Sequence, residues 1–128
     1  MEMYAEEVMD HYRNPRNFGH LDNPDFTSGE YNPSCGDNIE FEGKIVDGVL
    51  EKLAFVGKGC AVSLATASML SEAAVGKTME EVLVFDKKFI MAMLGTKLGP
   101  TRMKCAMLPL IALQKGVEEY KKNHEKGS

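Results

Sequence analysis

Four side chains in this chain of 128 residues could hold a metal ion or carry sulfur: Cys35 and Asp37 in NPSCGDNIEF, Cys60 in GKGCAV, and Cys105 in RMKCAM. Cys60 follows Cys35 by 25 residues and Cys105 follows Cys60 by 45, so no CxxC pair exists. That spacing excludes a zinc knuckle and a thioredoxin-type motif, and any common site must be assembled by the fold. Glycines flank two of the thiols, Gly36 after Cys35 and Gly57 and Gly59 before Cys60, which lets backbone approach an inorganic guest. Cys60 and Cys105 are each expected at the start of a helix, where free amides and the positive end of the macrodipole favour the thiolate. Lys104 would support the Cys105 thiolate in the same way. Asp37 stands two residues from Cys35, a spacing that a loop or a strand start can turn to one side. Three sulfurs and one oxygen suit tetrahedral zinc or iron. Taken singly, each cysteine also reads as a small buried apolar residue, and an aspartate after glycine as a turn residue. The joint pattern is what points to a metal centre.

The elements that must position these residues follow from periodicity and breakers. MYAEEVMDHYRN places Tyr4, Val8 and Tyr12 on one stripe of a first helix. Asn14-Pro15, Gly19 and Asn23-Pro24 then break the chain, and TSGEYN offers a short edge strand. NIEFEGKIV and VLEKLAFVG alternate around Asp47-Gly48, which predicts an antiparallel hairpin from about residue 37 to 57. A helix of small residues runs from Cys60 to Gly76. A short helix, a break near Phe85-Asp86 and another short helix closed by Gly95 come next. TKLGPTR reads as a turn. The last helix is expected to begin near Cys105, because Pro109 loosens its first turn, and to bury Leu110, Leu113, Val117 and Tyr120. His11, His20 and His124 have no ligand-like spacing to a cysteine and are expected at the surface.

With 44% hydrophobic and 27% charged residues and a net charge of -4, the chain has an ordinary globular composition and a length suited to one domain over residues 1–128. No basic excess suggests nucleic acid, and no apolar run approaches the roughly 20 residues of a membrane span. The acidic opening MEMYAEEVMD is unlike a secretory signal, so a cytoplasmic protein is expected, as a monomer or weak homo-oligomer.

Four motifs in order, YAEEVMDHYRNPRNFG, NPSCGDNIEF, GKGCAVSLATASMLSE and RMKCAMLPLIAL, resemble the scaffold family of iron-sulfur cluster assembly, the IscU, SufU and NifU N-terminal group. The resemblance implies an α+β fold, a small three-stranded antiparallel sheet with helices packed on one face. It implies that Cys35, Asp37, Cys60 and Cys105 surround a [2Fe-2S] cluster, or zinc in the cluster-free form. It further implies a cysteine desulfurase as sulfur donor, iron from elsewhere, and apo-proteins as recipients; Cys105, beside Lys104, would be the first sulfur acceptor. Two departures stand out. Lys104 occupies the place of the histidine that IscU proteins carry before the third cysteine, and KLGPTRMKC lacks the LPP motif, which removes the ground for expecting an Hsp70-type chaperone. The RMKC sequence is SufU-like, whereas the 45-residue spacing is IscU-like. A zinc-binding sulfur acceptor that stimulates a desulfurase is therefore the alternative reading.

Overall fold

The computed structural model describes residues 6–34 and 36–126. Its elements run α1 (Glu6–Arg13), β1 (Phe26–Asn32), β2 (Asp37–Val46), β3 (Val49–Lys58), α2 (Ala61–Ala74), α3 (Met79–Leu83), α4 (Lys87–Leu94) and α5 (Pro100–Lys126). The strands form one antiparallel sheet in the order β1-β2-β3. Helix α5 lies against β1 and β2, α2 against β3 and α5, and α1 covers α2. The expected α+β architecture is present, with TSGEYN as the edge strand.

The hairpin forms where Asp47 and Gly48, with φ of 52° and 78°, supply the two left-handed residues that match the twist of the flanking strands. This turn pairs Val46 with Val49 and Phe41 with Phe55. Both phenylalanines are fully buried, with ring centroids 5.9 Å apart. Each contributes roughly 1.5–3 kcal/mol of apolar burial. Along β2 the pleat alternates: Asp37, Ile39, Phe41 and Ile45 are buried, whereas Asn38 and Glu40 face outward. Asp37 is thus carried inward by the same period of two that buries Ile39.

After α2, Thr78 and Glu81 form a capping box that starts α3. Asp86 accepts from the Phe89 N–H and starts α4, which places the break where it was expected. Leu110, Leu113 and Val117 of α5 are buried and Tyr120 is half-buried. No helix among the described residues is long and apolar enough to cross a membrane.

Three expectations are corrected. TKLGPTR is not wholly a turn, and α5 does not begin near Cys105. It begins at Pro100, where the missing N–H costs nothing and the fixed φ suits the first helical position. Pro109 is accommodated inside the helix. His11 is not at the surface: it is 3% exposed, and its Nδ1 lies 2.7 Å from Ser68 Oγ. The described inner face of α1 is Val8 and His11, while Tyr12 is 39% exposed. Tyr4, the third residue of the expected stripe, lies outside the described residues. His20 and His124 are exposed, as expected.

Candidate metal centre

Three elements end at one place. Asp37 opens β2 on its inner face, 1% exposed. Cys60 is the N-cap of α2, in extended conformation (φ -75°, ψ 166°), and its side chain makes no capping bond. Cys105 lies in the second turn of α5, 3% exposed. One ligand atom from each, a carboxylate oxygen and two Sγ atoms, falls within 4.8 Å of the others. Residues 23 and 45 positions apart in sequence are thereby gathered beneath the start of α2.

The carboxylate of Asp37 is held at both oxygens. Its Oδ1 accepts from the Cys60 backbone N–H at 3.1 Å, and its Oδ2 accepts from the Ser63 hydroxyl at 2.5 Å. The Cys60 thiol is 3.6 Å from the same Oδ2. Gly59 makes this approach feasible. With φ of 153°, it carries no side chain where a Cβ would stand 2.4 Å from Asp37 Oδ1.

These residues fit a metal ion. With zinc–sulfur bonds of about 2.3 Å, zinc–oxygen bonds of about 2.0–2.2 Å and a tetrahedral angle, sulfur and oxygen ligands stand about 3.6 Å apart. The Cys60 Sγ to Asp37 Oδ2 distance is 3.6 Å. A metal ion would bind the deprotonated Cys60 thiolate, in place of the thiol's contact with Oδ2.

Burial pushes the Cys105 thiol well above the ordinary thiol range, and hydrogen bonding with Asp37 and Cys60 pushes the same way. The expected place of Cys105 at a helix start is corrected. The helix begins five residues earlier, so the macrodipole's first turn is spent on residues 100–103. Lys104 is exposed and forms no hydrogen bond or ion pair among the described residues. It borders a surface groove with Met103, Met107 and Ile111. Cys35, the remaining sequence candidate, lies outside the described residues. Ser63 was not singled out as functional by sequence. It looked like one of many small residues on α2, and only its i+3 spacing from Cys60 hinted that both face one side.

A buried carboxylate and two thiols gathered in a small α+β fold make a group that could hold a metal ion. The sequence model of the NifU-like N terminal domain matches residues 3–127, and the chain belongs to that family. It is 38% identical to the zinc-dependent sulfurtransferase SufU of Bacillus subtilis, over 90% of this chain and 89% of that one. It is 37% identical to the iron-sulfur cluster assembly scaffold protein IscU 1 of Archaeoglobus fulgidus, over 92% of this chain and 76% of the relative. Among solved structures, a SUF-system iron-sulfur cluster assembly scaffold protein from Fervidobacterium islandicum superposes with a TM-score of 0.76 at 26% identity, covering 89% of this chain and 96% of that one.

Proposed function

We infer that the chain is a scaffold on which a [2Fe-2S] cluster is assembled from desulfurase-derived sulfur and iron, then handed to apo-proteins. The observation that carries this reading is the gathering of Asp37, Cys60 and Cys105 within 4.8 Å in a chain whose relatives include IscU scaffolds. Cys35, Asp37, Cys60 and Cys105 are the proposed ligands of the cluster, which is cargo and not a resident cofactor. A carboxylate oxygen is a harder donor than a thiolate and holds iron less firmly, so Asp37 is the proposed point of release. Cys105 is the proposed first sulfur acceptor, supported by Lys104. Because Cys105 is 3% exposed, that role requires the first turns of α5 to open. Pro109 favours such opening, since it donates no helical bond to the Cys105 carbonyl.

The proposed setting is a single domain over residues 1–128 in the cytoplasm, monomeric or weakly self-associating. Its partners would be a pyridoxal-phosphate cysteine desulfurase and recipient apo-proteins. The protein acts as a scaffold, with any sulfurtransferase-like role confined to accepting and passing on sulfur.

The second reading, a zinc-bound sulfur acceptor, is favoured by the 38% identity to SufU and by the RMKC sequence. Metal analysis of the purified protein, followed by anaerobic reconstitution with ferrous iron and sulfide, separates the two. The scaffold reading expects visible sulfur-to-iron absorption with iron and sulfide in equal amounts. Tightly held zinc and a colourless protein after reconstitution would favour the sulfur acceptor.

A further inference from the structure

We propose that Ser63 is the positioning residue that fixes which oxygen of Asp37 faces the metal and how firmly it is held there. The proposal rests on the metal-centre reading above. Ser63 is fully buried, one helical turn beyond Cys60 on α2. Its hydroxyl touches all three described members of the centre: Asp37 Oδ2 at 2.5 Å, the Cys105 carbonyl oxygen at 3.2 Å and Cys60 Sγ at 3.7 Å.

The hydroxyl has one proton to donate. A carboxylate is a stronger acceptor than a carbonyl or a thiol, and the contact to Asp37 is the shortest of the three, so the proton goes to Oδ2. The Cys105 carbonyl is the one that Pro109 deprives of its helical N–H donor. Its position 3.2 Å from Ser63 brings the loosened part of α5 onto the same hydroxyl. Ser63 is thus hydrogen-bonded to the start of β2 and in contact with the start of α2 and the second turn of α5.

The consequence for Asp37 is geometric. The Cys60 N–H fixes Oδ1 and the Ser63 O–H occupies one lone pair of Oδ2. What remains on Oδ2 points toward Cys60 Sγ, at the separation a tetrahedral ion requires. Without the hydroxyl, Oδ2 loses its shortest hydrogen bond and is held by the longer contact with Cys60 Sγ and by the thiol of Cys105, so the carboxylate is less firmly oriented. Hydrogen bonds that orient a metal-ligating carboxylate are typically worth about 10–100-fold in affinity.

The test uses Co2+ on the full-length chain, with affinity measured by chelator competition and ligand geometry read from the visible d–d bands. Ser63→Ala is expected to bind Co2+ about 10–100-fold more weakly than wild type and to shift the d–d bands. Circular dichroism and urea unfolding of the metal-free variant check that the fold is kept. The same substitution is then made in an Asp37→Cys background, where the fourth donor is a thiolate that does not depend on the hydroxyl. There it is expected to cost less than about 3-fold, since the two changes act through one interaction. A Ser63→Ala protein within about 3-fold of wild type overturns the proposal, and so does an equal loss in both backgrounds, which would mean that Ser63 acts by packing alone. A wild-type protein that binds no Co2+ would overturn the metal-centre reading as well.

Discussion

Gly59→Ala probes the closest packing at the centre. A Cβ at this position would stand 2.4 Å from Asp37 Oδ1 and 2.8 Å from its Cγ, whereas ordinary contact begins near 3.4 Å. The carboxylate would therefore have to move by about 1 Å to restore ordinary contact. Such a movement breaks the 3.1 Å bond from the Cys60 N–H. Losing a hydrogen bond to a charged group costs about 1.5–3 kcal/mol. Holding alanine at a φ of 153° costs about 1–3 kcal/mol more. Against these, the reduced freedom of the unfolded chain returns only about 0.4–1 kcal/mol. The net loss expected is roughly 2–5 kcal/mol, a large share of the stability of a domain this size. Urea unfolding of metal-free protein, followed by circular dichroism, measures it. In an Asp37→Ala background the Cβ meets no carboxylate and only a tight 3.1 Å contact with the Cβ of residue 37, so the loss should fall towards the backbone part of about 1–3 kcal/mol. A loss below about 1 kcal/mol in the wild-type background would refute the reasoning, because it would show that Asp37 yields without cost.

Asp37→Ala, by removing the hardest donor, is expected to lengthen the life of a reconstituted cluster and slow its transfer; faster bleaching than wild type would show that Asp37 holds the cluster and does not release it. His11 is held below its ordinary pKa chiefly by burial and next by the charge of Arg16. The unfolded chain therefore binds a proton more readily than the native one, and stability should fall as pH drops through about 6.5 toward the lowered native value. His11→Gln should flatten this slope in urea midpoints measured between pH 7.5 and 5.5, and an unchanged slope would remove His11 as its source. Supplying desulfurase and cysteine without iron, then weighing digested peptides, should find the first added sulfur on the Cys105 peptide, with loading slowed by Lys104→Glu. Sulfur appearing first on Cys60, the more accessible of the two described thiols, would reassign that role.

Much of the fold was legible because its signals are local. Asp47-Gly48 marked the hairpin, Gly95 and Asp86 bounded α4, and the alternation from Ile39 to Ile45 marked an inner face that also carries Asp37. The nearness of Asp37, Cys60 and Cys105 was legible from residue types and from the family's motifs. What failed to show depends on distant partners. Ser68 and Ser63 looked like interchangeable small residues of α2. One is matched to His11 57 positions away and the other to Asp37 26 positions away. Nothing beside His11 in sequence announces its buried hydrogen-bond partner. The start of α5 was misread because Pro109 is a strong local stop signal, whereas Pro100, at an exposed helix start, is a weaker one that carries the actual boundary.

As a scaffold, this chain would hold a cluster at the Asp37, Cys60 and Cys105 centre and give it up. The most direct test is transfer itself: chain reconstituted with ferrous iron and desulfurase-derived sulfur is desalted, mixed with an apo-ferredoxin, and followed by circular dichroism in the visible region. The scaffold's signal is expected to decay as the ferredoxin's [2Fe-2S] signal grows in proportion, and Cys60→Ala and Cys105→Ala proteins are expected to deliver nothing. A ferredoxin signal that rises equally with either variant, or only at the rate of free iron and sulfide, would contradict it.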